Sequence, residues 1–205
     1  MKTLAIWLVI TLLLSVYAAA LFAVLHPHVS PAYKAFYIDH TSLDWNPARY
    51  PGSPEQGMIF SRDGLPEWVQ STRGLSGREG WGRWTDEDLG NVAGLAFTRG
   101  FSGPLCVDFT ARAISWLPGK TLTVRMGSET QTLRVATPEL TRYQVQFTQL
   151  RDADELDILF PDKLPRVSEV VPANGDRRRL GLDLATLRLI PGQCPIVKSS
   201  LDTSP

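Results

Sequence analysis

The chain has 205 residues, with 21 basic and 21 acidic side chains and a formal net charge of zero. That length suits one domain of ordinary size with an appendage, and the neutral balance excludes a whole-protein field that would attract nucleic acid. The three histidines, His26, His28 and His40, all precede the part that looks folded. The globular region therefore lacks the commonest general base and metal ligand, and a Ser-His-Asp or Cys-His site is not expected there.

The N-terminal stretch from Leu4 to Leu25 is apolar and carries no charged residue. At about 1.5 Å per residue, a helix of this length matches a hydrocarbon core of roughly 30 Å, which predicts one transmembrane anchor over residues 1–25. Three alanines at 18–20 leave a cleaved signal peptide as the alternative, although the apolar run continues beyond them. Lys2 at the front favours a cytoplasmic N-terminus and an exported C-terminal domain.

Residues 26–55 carry five prolines with aromatic residues between them. Prolines at this density prevent a helix and favour extended backbone, so the segment is predicted to be a juxtamembrane linker. We expect its aromatic side chains to pack on the following domain: Tyr33, Phe36, Tyr37 and Trp45. At the other end of the chain, residues 198–205 are predicted to be a frayed tail.

Residues 56–197 contain short segments rich in β-branched and aromatic residues, separated by turn residues. The predicted strands are Met58–Phe60, Trp81–Thr85, Val92–Thr98, Leu105–Ala113, Leu122–Met126, Gln131–Ala136, Tyr143–Phe147, Leu156–Phe160 and Gly181–Ile190. Strands at this spacing, without a long amphipathic helix, predict an all-β domain folded as an antiparallel two-sheet jelly-roll sandwich. A change of phase in the last strand predicts a β-bulge near Ala185 and Thr186.

Cys106 and Cys194 are the two cysteines of the chain. In an exported domain they would be able to form a lasting disulfide, and two buried free thiols are the alternative. The sequence does not choose between these two states.

The run around Trp81 carries the residues expected to contact a ligand: Glu79, Trp81, Arg83 and Trp84, with Arg178 second. Exposed tryptophans stack against sugar rings, while carboxylates and arginines supply directional hydrogen bonds to hydroxyls. The alternative is a tryptophan pair in the core, with Arg83 paired to Glu79. Because the two tryptophans are three positions apart, we expect one to be buried and the other to lie nearer the surface beside Arg83.

Other charged residues allow other chemistry. The acidic run 86–88 has the oxygen ligands of a calcium site, although such runs are more often solvated turns. A hydrolase needs two carboxylates at a set separation, and the candidates are Glu79, Asp86, Asp108, Asp154 and Asp157. Sequence spacing does not place them in space, so a non-catalytic module is the prediction. The basic run 177–179 suits a phosphate or an acidic glycan, or a solvated strand start with Asp176 paired to one arginine.

Two motifs carry a family resemblance. They are Ser76-x-x-Glu79-x-Trp81-Gly82-Arg83-Trp84-Thr85 and, with Ser168-Glu169 before it, Asp176-x-Arg178-x-Leu180-Gly181-Leu182. Over roughly Leu75 to Ile190 the chain resembles the jelly-roll, galactose-binding-like module of bacterial envelope proteins. Such modules are attached to membrane glycosyltransferases and to phosphoglycerol-transferase-like proteins that build or decorate surface glycans.

Together with the predicted anchor, the resemblance implies a single-pass protein of the bacterial inner membrane with a periplasmic sandwich. That sandwich is expected to bind a glycan or glycolipid, or to act as an accessory subunit of a membrane glycosyltransferase or related envelope enzyme. No cofactor is expected apart from the calcium alternative. The rival interpretations are a structural subunit that contacts only a protein partner and an envelope hydrolase.

Overall fold

The computed structural model describes residues 2–25 and 48–195. The first of these segments forms one helix, α1 (Lys2–Leu25). Within the described residues, no helix has the length and apolar character that a membrane span requires. The four linker aromatics and the predicted tail lie outside the described residues.

The second segment is mostly β-structure. Its strands, in chain order, are β1 (Arg49–Tyr50), β2 (Met58–Ile59), β3 (Leu65–Pro66), β4 (Val69–Arg73), β5 (Leu75–Arg78), β6 (Arg83–Asp86), β7 (Val92–Ala113), β8 (Thr121–Met126), β9 (Glu129–Arg134), β10 (Thr141–Leu159) and β11 (Leu180–Pro191). One helical turn, α2 (Val167–Val170), and a 3₁₀ turn at Pro172–Asn174 precede β11. The all-β prediction is confirmed for this segment.

Two long strands, β7 and β10, contribute to both layers of the domain. Near its start β7 pairs with β4 and with the end of β10, and β8 and β9 extend this first layer. Near its end β7 pairs with β11 and with the start of β10, and β6, β5 and β2 extend the second layer. The result is one continuous sheet of nine strands that folds over itself in a sandwich-like arrangement.

The passage between layers depends on irregular backbone. The register of β10 against β7 shifts three times between Phe147 and Glu155. Opposite these shifts, Gly103 has a φ of +82°, which glycine adopts without steric cost. A Cβ at Gly100 would collide with the Asp152 side chain. The sequence predicts a break in this region, with one strand before it and another after it in both β7 and β10. The structure instead has one continuous, bent strand in each case.

The core lies between the two layers and follows the alternation of the strands. In the second half of β7, Val107, Phe109 and Ala111 are buried in the hydrophobic core, so the intervening side chains point away from it. The predicted bulge in β11 is confirmed, because its register against β7 shifts between Leu184 and Thr186. Ala185 is the extra residue, which restores the inward direction of the leucines that follow.

A disulfide joins Cys106 of β7 to Cys194, with their Cα atoms 4.8 Å apart. Gln146 of β10 reinforces this junction, since its Oε1 accepts a hydrogen bond from the Cys194 N–H at 2.7 Å. The Gln146 Nε2 donates to the Gly192 carbonyl oxygen at 3.1 Å. Of the two thiol states that the sequence left open, the structure has the bridge, and it ties the segment after β11 to the second layer.

Candidate functional site

The motif around Trp81 forms a β-hairpin between β5 and β6. The Glu79 N–H donates to the Gly82 carbonyl oxygen at 2.9 Å, which closes the turn and leaves Trp81 at its tip. A Cβ at position 82 would lie 2.6 Å from the Asp183 Oδ1 atom and would also collide with the Leu184 carbonyl oxygen. Gly82 is therefore the residue that lets the hairpin rest directly on β11.

Trp81 is the exposed member of the tryptophan pair. Its relative exposure is 52%, whereas Trp84 is half-buried. The Arg112 guanidinium carbon lies 5.7 Å from the centroid of the Trp81 ring, within the range of a cation–π interaction. The expected split in exposure holds in part: Trp81 is at the surface, but Trp84 is not fully buried and the arginine over the Trp81 ring is Arg112.

The structure corrects the expectation that Arg83 contacts a ligand. Arg83 pairs with Leu184 of β11, an inward-facing position, and its side chain is fully buried. One guanidinium nitrogen donates to the Ser76 carbonyl oxygen at 3.2 Å. The register of β6 thus directs the Arg83 side chain into the sandwich, where it binds the β5 strand of the hairpin.

Glu79 and Arg178, which are 99 residues apart in the sequence, form an ion pair at 3.3 Å. Arg178 also binds Asp176 at 2.8 Å, so the predicted pairing of Asp176 with one arginine of the basic run is observed. About a third of the Arg178 side chain and a quarter of the Glu79 side chain remain exposed. Both charged groups are therefore within reach of a ligand at the hairpin tip.

Sequence reasoning missed two residues at this place, Arg112 and Asp183. Asp183 lies opposite Trp84 on one neighbouring strand and opposite Arg112 on the other. The alternation of Leu182, Asp183 and Leu184 already indicated that the carboxylate points away from the core. The sequence offered no signal for its position beneath the hairpin, because the pairing of β11 between β6 and β7 is non-local.

Asp183 is a buried carboxyl group on the outer side of the second layer. It is 1% exposed, and its Oδ1 atom has no hydrogen-bond partner among the described residues. Burial, followed by the nearby charge of Glu79, raises the pKa of Asp183 to about 6, and Arg112 opposes the rise. We call the five residues gathered here the hairpin site: Glu79, Trp81, Arg112, Arg178 and Asp183.

Of the other carboxylates considered for hydrolysis, Asp154 is exposed, whereas Asp86, Asp108 and Asp157 are buried. Asp108 is held by arginines on the outer side of the second layer, and Asp157 is held by arginines on the first layer. Asp86 is buried beside the hairpin, and desolvation raises its pKa to about 6. The geometry of the hairpin site suits recognition, with one aromatic face and charged hydrogen-bonding groups around it.

Two carboxylates of the acidic run 86–88 are engaged by other parts of the protein. Asp88 forms ion pairs with Arg166 at 3.0 Å and with Arg179 at 3.4 Å. The Glu87 carboxylate accepts a hydrogen bond from the Leu164 N–H at 2.8 Å. In the part of the chain that the structure describes, no three histidine, cysteine or acidic side chains are grouped to hold a metal ion.

The family described as a domain of unknown function (DUF7024) matches residues 43–191, well over half of the chain. The chain belongs to this family. The DUF7024 domain thus spans the whole sandwich from β1 to β11, including the hairpin site.

The DUF7024 chain is also similar to part of larger curated proteins. Phosphoglycerol transferase I of Escherichia coli O157:H7 is 28% identical over 153 residues, which cover 75% of this chain and 19% of that protein. The protein of the same name from Shigella boydii serotype 18 matches to the same extent. The chain therefore spans about a fifth of the length of these relatives.

Among solved structures, a family 29 carbohydrate-binding module has a TM-score of 0.38 and 13% identity, covering 65% of this chain and 86% of the module. The apo form of the module BiXyn10A CBM1 has a TM-score of 0.37 and 9% identity, covering 67% of this chain and 98% of that module. Likeness at this level shows neither a ligand nor a function for the DUF7024 domain.

Proposed function

We propose that the domain is a glycan-binding module, held at the periplasmic side of a bacterial inner membrane and accessory to an enzyme that builds or decorates surface glycans. The observation that carries the proposal is the exposed indole of Trp81 at the tip of a hairpin, beside Arg112 and Glu79. An exposed tryptophan with charged neighbours is the combination that recognises sugar rings, because the ring stacks and the charged groups bind hydroxyls.

The hairpin supports this role because it holds Trp81 in a fixed place. The close approach of Gly82 to Asp183 and the buried guanidinium of Arg83 seat the hairpin on the sheet. A preorganised aromatic side chain loses little conformational freedom on binding, so more of the stacking energy contributes to affinity. Glu79 and Arg178 then offer an acceptor and a donor at the edge of the same surface.

The relatives support a link to a transferase. They are named phosphoglycerol transferase I, and the matched region covers most of this chain but a small part of theirs. We infer that this domain is of the same kind as the matched region of these relatives and works together with an integral-membrane glycosyltransferase or related envelope enzyme.

The proposed location rests on the sequence of α1 and on the disulfide. The anchor is argued from the sequence alone, because residues 4–25 carry no charged side chain. The Cys106–Cys194 bridge suits an oxidising compartment such as the periplasm. Protease treatment of spheroplasts tests this location: we expect the sandwich to be digested in intact spheroplasts, and protection of the sandwich would contradict the proposal.

Binding is tested with the full-length chain in detergent on an array of bacterial envelope oligosaccharides. We expect a subset of these glycans to bind, and we expect Trp81→Ala to weaken binding about tenfold, taking base stacking on aromatic side chains as the nearest analogue. Trp81→Phe should retain part of the affinity because it keeps an aromatic face.

Gly80→Ala serves as the control for the hairpin, because a Cβ at this position meets nothing within 4 Å. It should bind as the wild type does. Retained glycan binding by Trp81→Ala would overturn the role of the hairpin site. The absence of binding by the wild-type chain to every oligosaccharide on the array would overturn the glycan-binding function itself.

A further inference from the structure

A line of outward polar side chains leads away from the hairpin site along the second layer. Arg112, Thr110 and Asp108 follow one another on the outer side of β7, alternating with core residues. Thr110 shares a hydrogen bond with Thr186 of β11, with the two hydroxyl oxygens 2.7 Å apart. Four residues of strand extend about 13 Å, a span that a few linked sugar rings would cover.

This line ends at two arginines that share a single buried carboxylate. Asp108 is 2% exposed and binds Arg142 through both oxygens, at 2.8 and 2.7 Å. Arg188 from the neighbouring strand binds the Asp108 Oδ2 atom at 2.5 Å. Two positive charges against one negative charge leave an excess positive charge at this end of the surface.

The guanidinium groups of this pair are available to a ligand. The side chains of Arg142 and Arg188 are 38% and 43% exposed, although each is anchored to Asp108. Each guanidinium has five N–H donors, and the contacts to Asp108 use only some of them. Anchored arginines with spare donors are well suited to a phosphate or carboxylate group, because their planar forks are already oriented.

The first layer contains a matching cluster in which the charges balance. Asp157 is buried and binds Arg73 at 2.5 Å and Arg125 at 2.6 Å. Arg73 also binds a second carboxylate, Glu155, at 3.1 Å. Two arginines therefore face two carboxylates there, whereas Arg142 and Arg188 on the second layer share Asp108.

We propose that the ligand is an acidic oligosaccharide whose sugar ring stacks on Trp81 and whose phosphate or carboxylate substituent binds Arg142 and Arg188. The inference rests on the proposed glycan-binding function and deepens it by naming the class of glycan. The threonine pair between the two ends supplies uncharged hydroxyl groups along the path of the saccharide. A neutral glycan would engage the Trp81 end alone.

The test uses the full-length chain in detergent on an array of oligosaccharides in matched pairs, each neutral glycan beside its phosphorylated form. We expect the wild type to bind the phosphorylated member about tenfold more tightly, in line with one charged hydrogen-bonded contact. Arg188→Gln should abolish this preference and leave the affinity for the neutral member unchanged. Arg142 still satisfies Asp108 in this variant, so the fold should survive.

Arg125→Gln is the matched control, because Arg125 is also one of two arginines on a buried aspartate and has a similar exposure of 48%. It should keep the full preference for the phosphorylated glycan. Equal binding of both members of each pair by the wild type would overturn the inference while leaving the glycan-binding function intact. Loss of the preference in Arg125→Gln would also overturn it. Binding to phosphatidylglycerol vesicles without binding to either glycan would instead assign the arginines to a lipid headgroup and refute the inference.

Discussion

Gly82 and Asp183 approach each other so closely that any side chain at position 82 would be 2.6 Å from the Asp183 Oδ1 atom. This contact joins the hairpin that carries Trp81 to the central strand β11. The hairpin site therefore depends on a residue without a side chain and on a carboxyl group that the sheet buries.

The first prediction concerns this contact. Gly82→Ala forces the hairpin away from β11, because the new Cβ also meets the Leu184 carbonyl oxygen and backbone cannot move aside easily. We expect the free energy of unfolding to fall by about 1–3 kcal/mol, as for other overpacked sites. Gly80→Ala, in open space two residues earlier, should change it little. Thermal melts of both variants that coincide with the wild type would contradict the close packing.

The second prediction concerns pH. The pKa of Asp183 is about 6 in the folded state against 3.8 ordinarily, so the folded state binds the proton more tightly than the unfolded state does. Stability contributed by this group is present below about pH 4 and falls as the pH rises towards and beyond 6. Asparagine cannot ionise. Asp183→Asn should therefore lose up to about 3 kcal/mol less of its free energy of unfolding than the wild type does over this pH range.

The measurement compares the free energy of unfolding at pH 4 and pH 7.5 in wild type and variant, so that a constant cost of the substitution cancels. Asp86→Asn should reduce the pH dependence in the same direction, because burial raises the pKa of Asp86 to about 6 as well. An Asp183→Asn variant with the pH dependence of the wild type would show that the carboxyl group is not desolvated.

The third prediction separates the support of the hairpin from its ligand surface. Arg83 is fully buried, and removing its side chain leaves a cavity and the Ser76 carbonyl oxygen without this donor. We expect Arg83→Ala to cost about 2–5 kcal/mol of stability, from the cavity and from a buried carbonyl oxygen that has lost a donor. Arg78, its exposed cross-strand neighbour, should tolerate alanine with little change. Equal melting temperatures for the two variants would contradict a stabilising role for the buried Arg83 side chain.

The sequence predicted the strands that alternate clearly, and the structure shows why it missed others. The second half of β7 and the bulge at Ala185 follow from apolar residues at every second position. The strands β4 and β5 were missed because Val-Gln-Ser-Thr-Arg and Leu-Ser-Gly-Arg contain few of the β-branched and aromatic residues that mark strands. Their pairing with neighbouring strands, rather than their own composition, makes them strands.

Only those residues of the candidate site that lie close together in the sequence were predictable. Glu79 and Trp81 lie within one motif, and a glycine-flanked tryptophan is a reasonable candidate for exposure. The inward direction of Arg83 depends on its register against Leu184, and the closeness of Arg112 to Trp81 depends on the order of β6, β11 and β7. Neither relationship follows from the spacing of residues in the sequence, so neither could be predicted from it.

The fourth prediction concerns the disulfide. The bridge closes a loop of 88 residues, and in the chain-entropy account it contributes up to about 4–5 kcal/mol. Replacing both Cys106 and Cys194 by serine should lower the melting temperature to that of the wild-type chain in reducing buffer. Coincident melts of the double variant and the wild type without reductant would show that the bridge contributes nothing.

The central claim is that a glycan stacks on Trp81, and oxidative footprinting of the full-length chain tests it most directly. Trp81 is 52% exposed and should be oxidised readily, whereas Trp68 is 5% exposed and serves as an internal reference. Saturation with a glycan identified on the array should protect Trp81 from oxidation and leave the modification of Trp68 unchanged. Oxidation of Trp81 at the same rate with the glycan bound would contradict the claim.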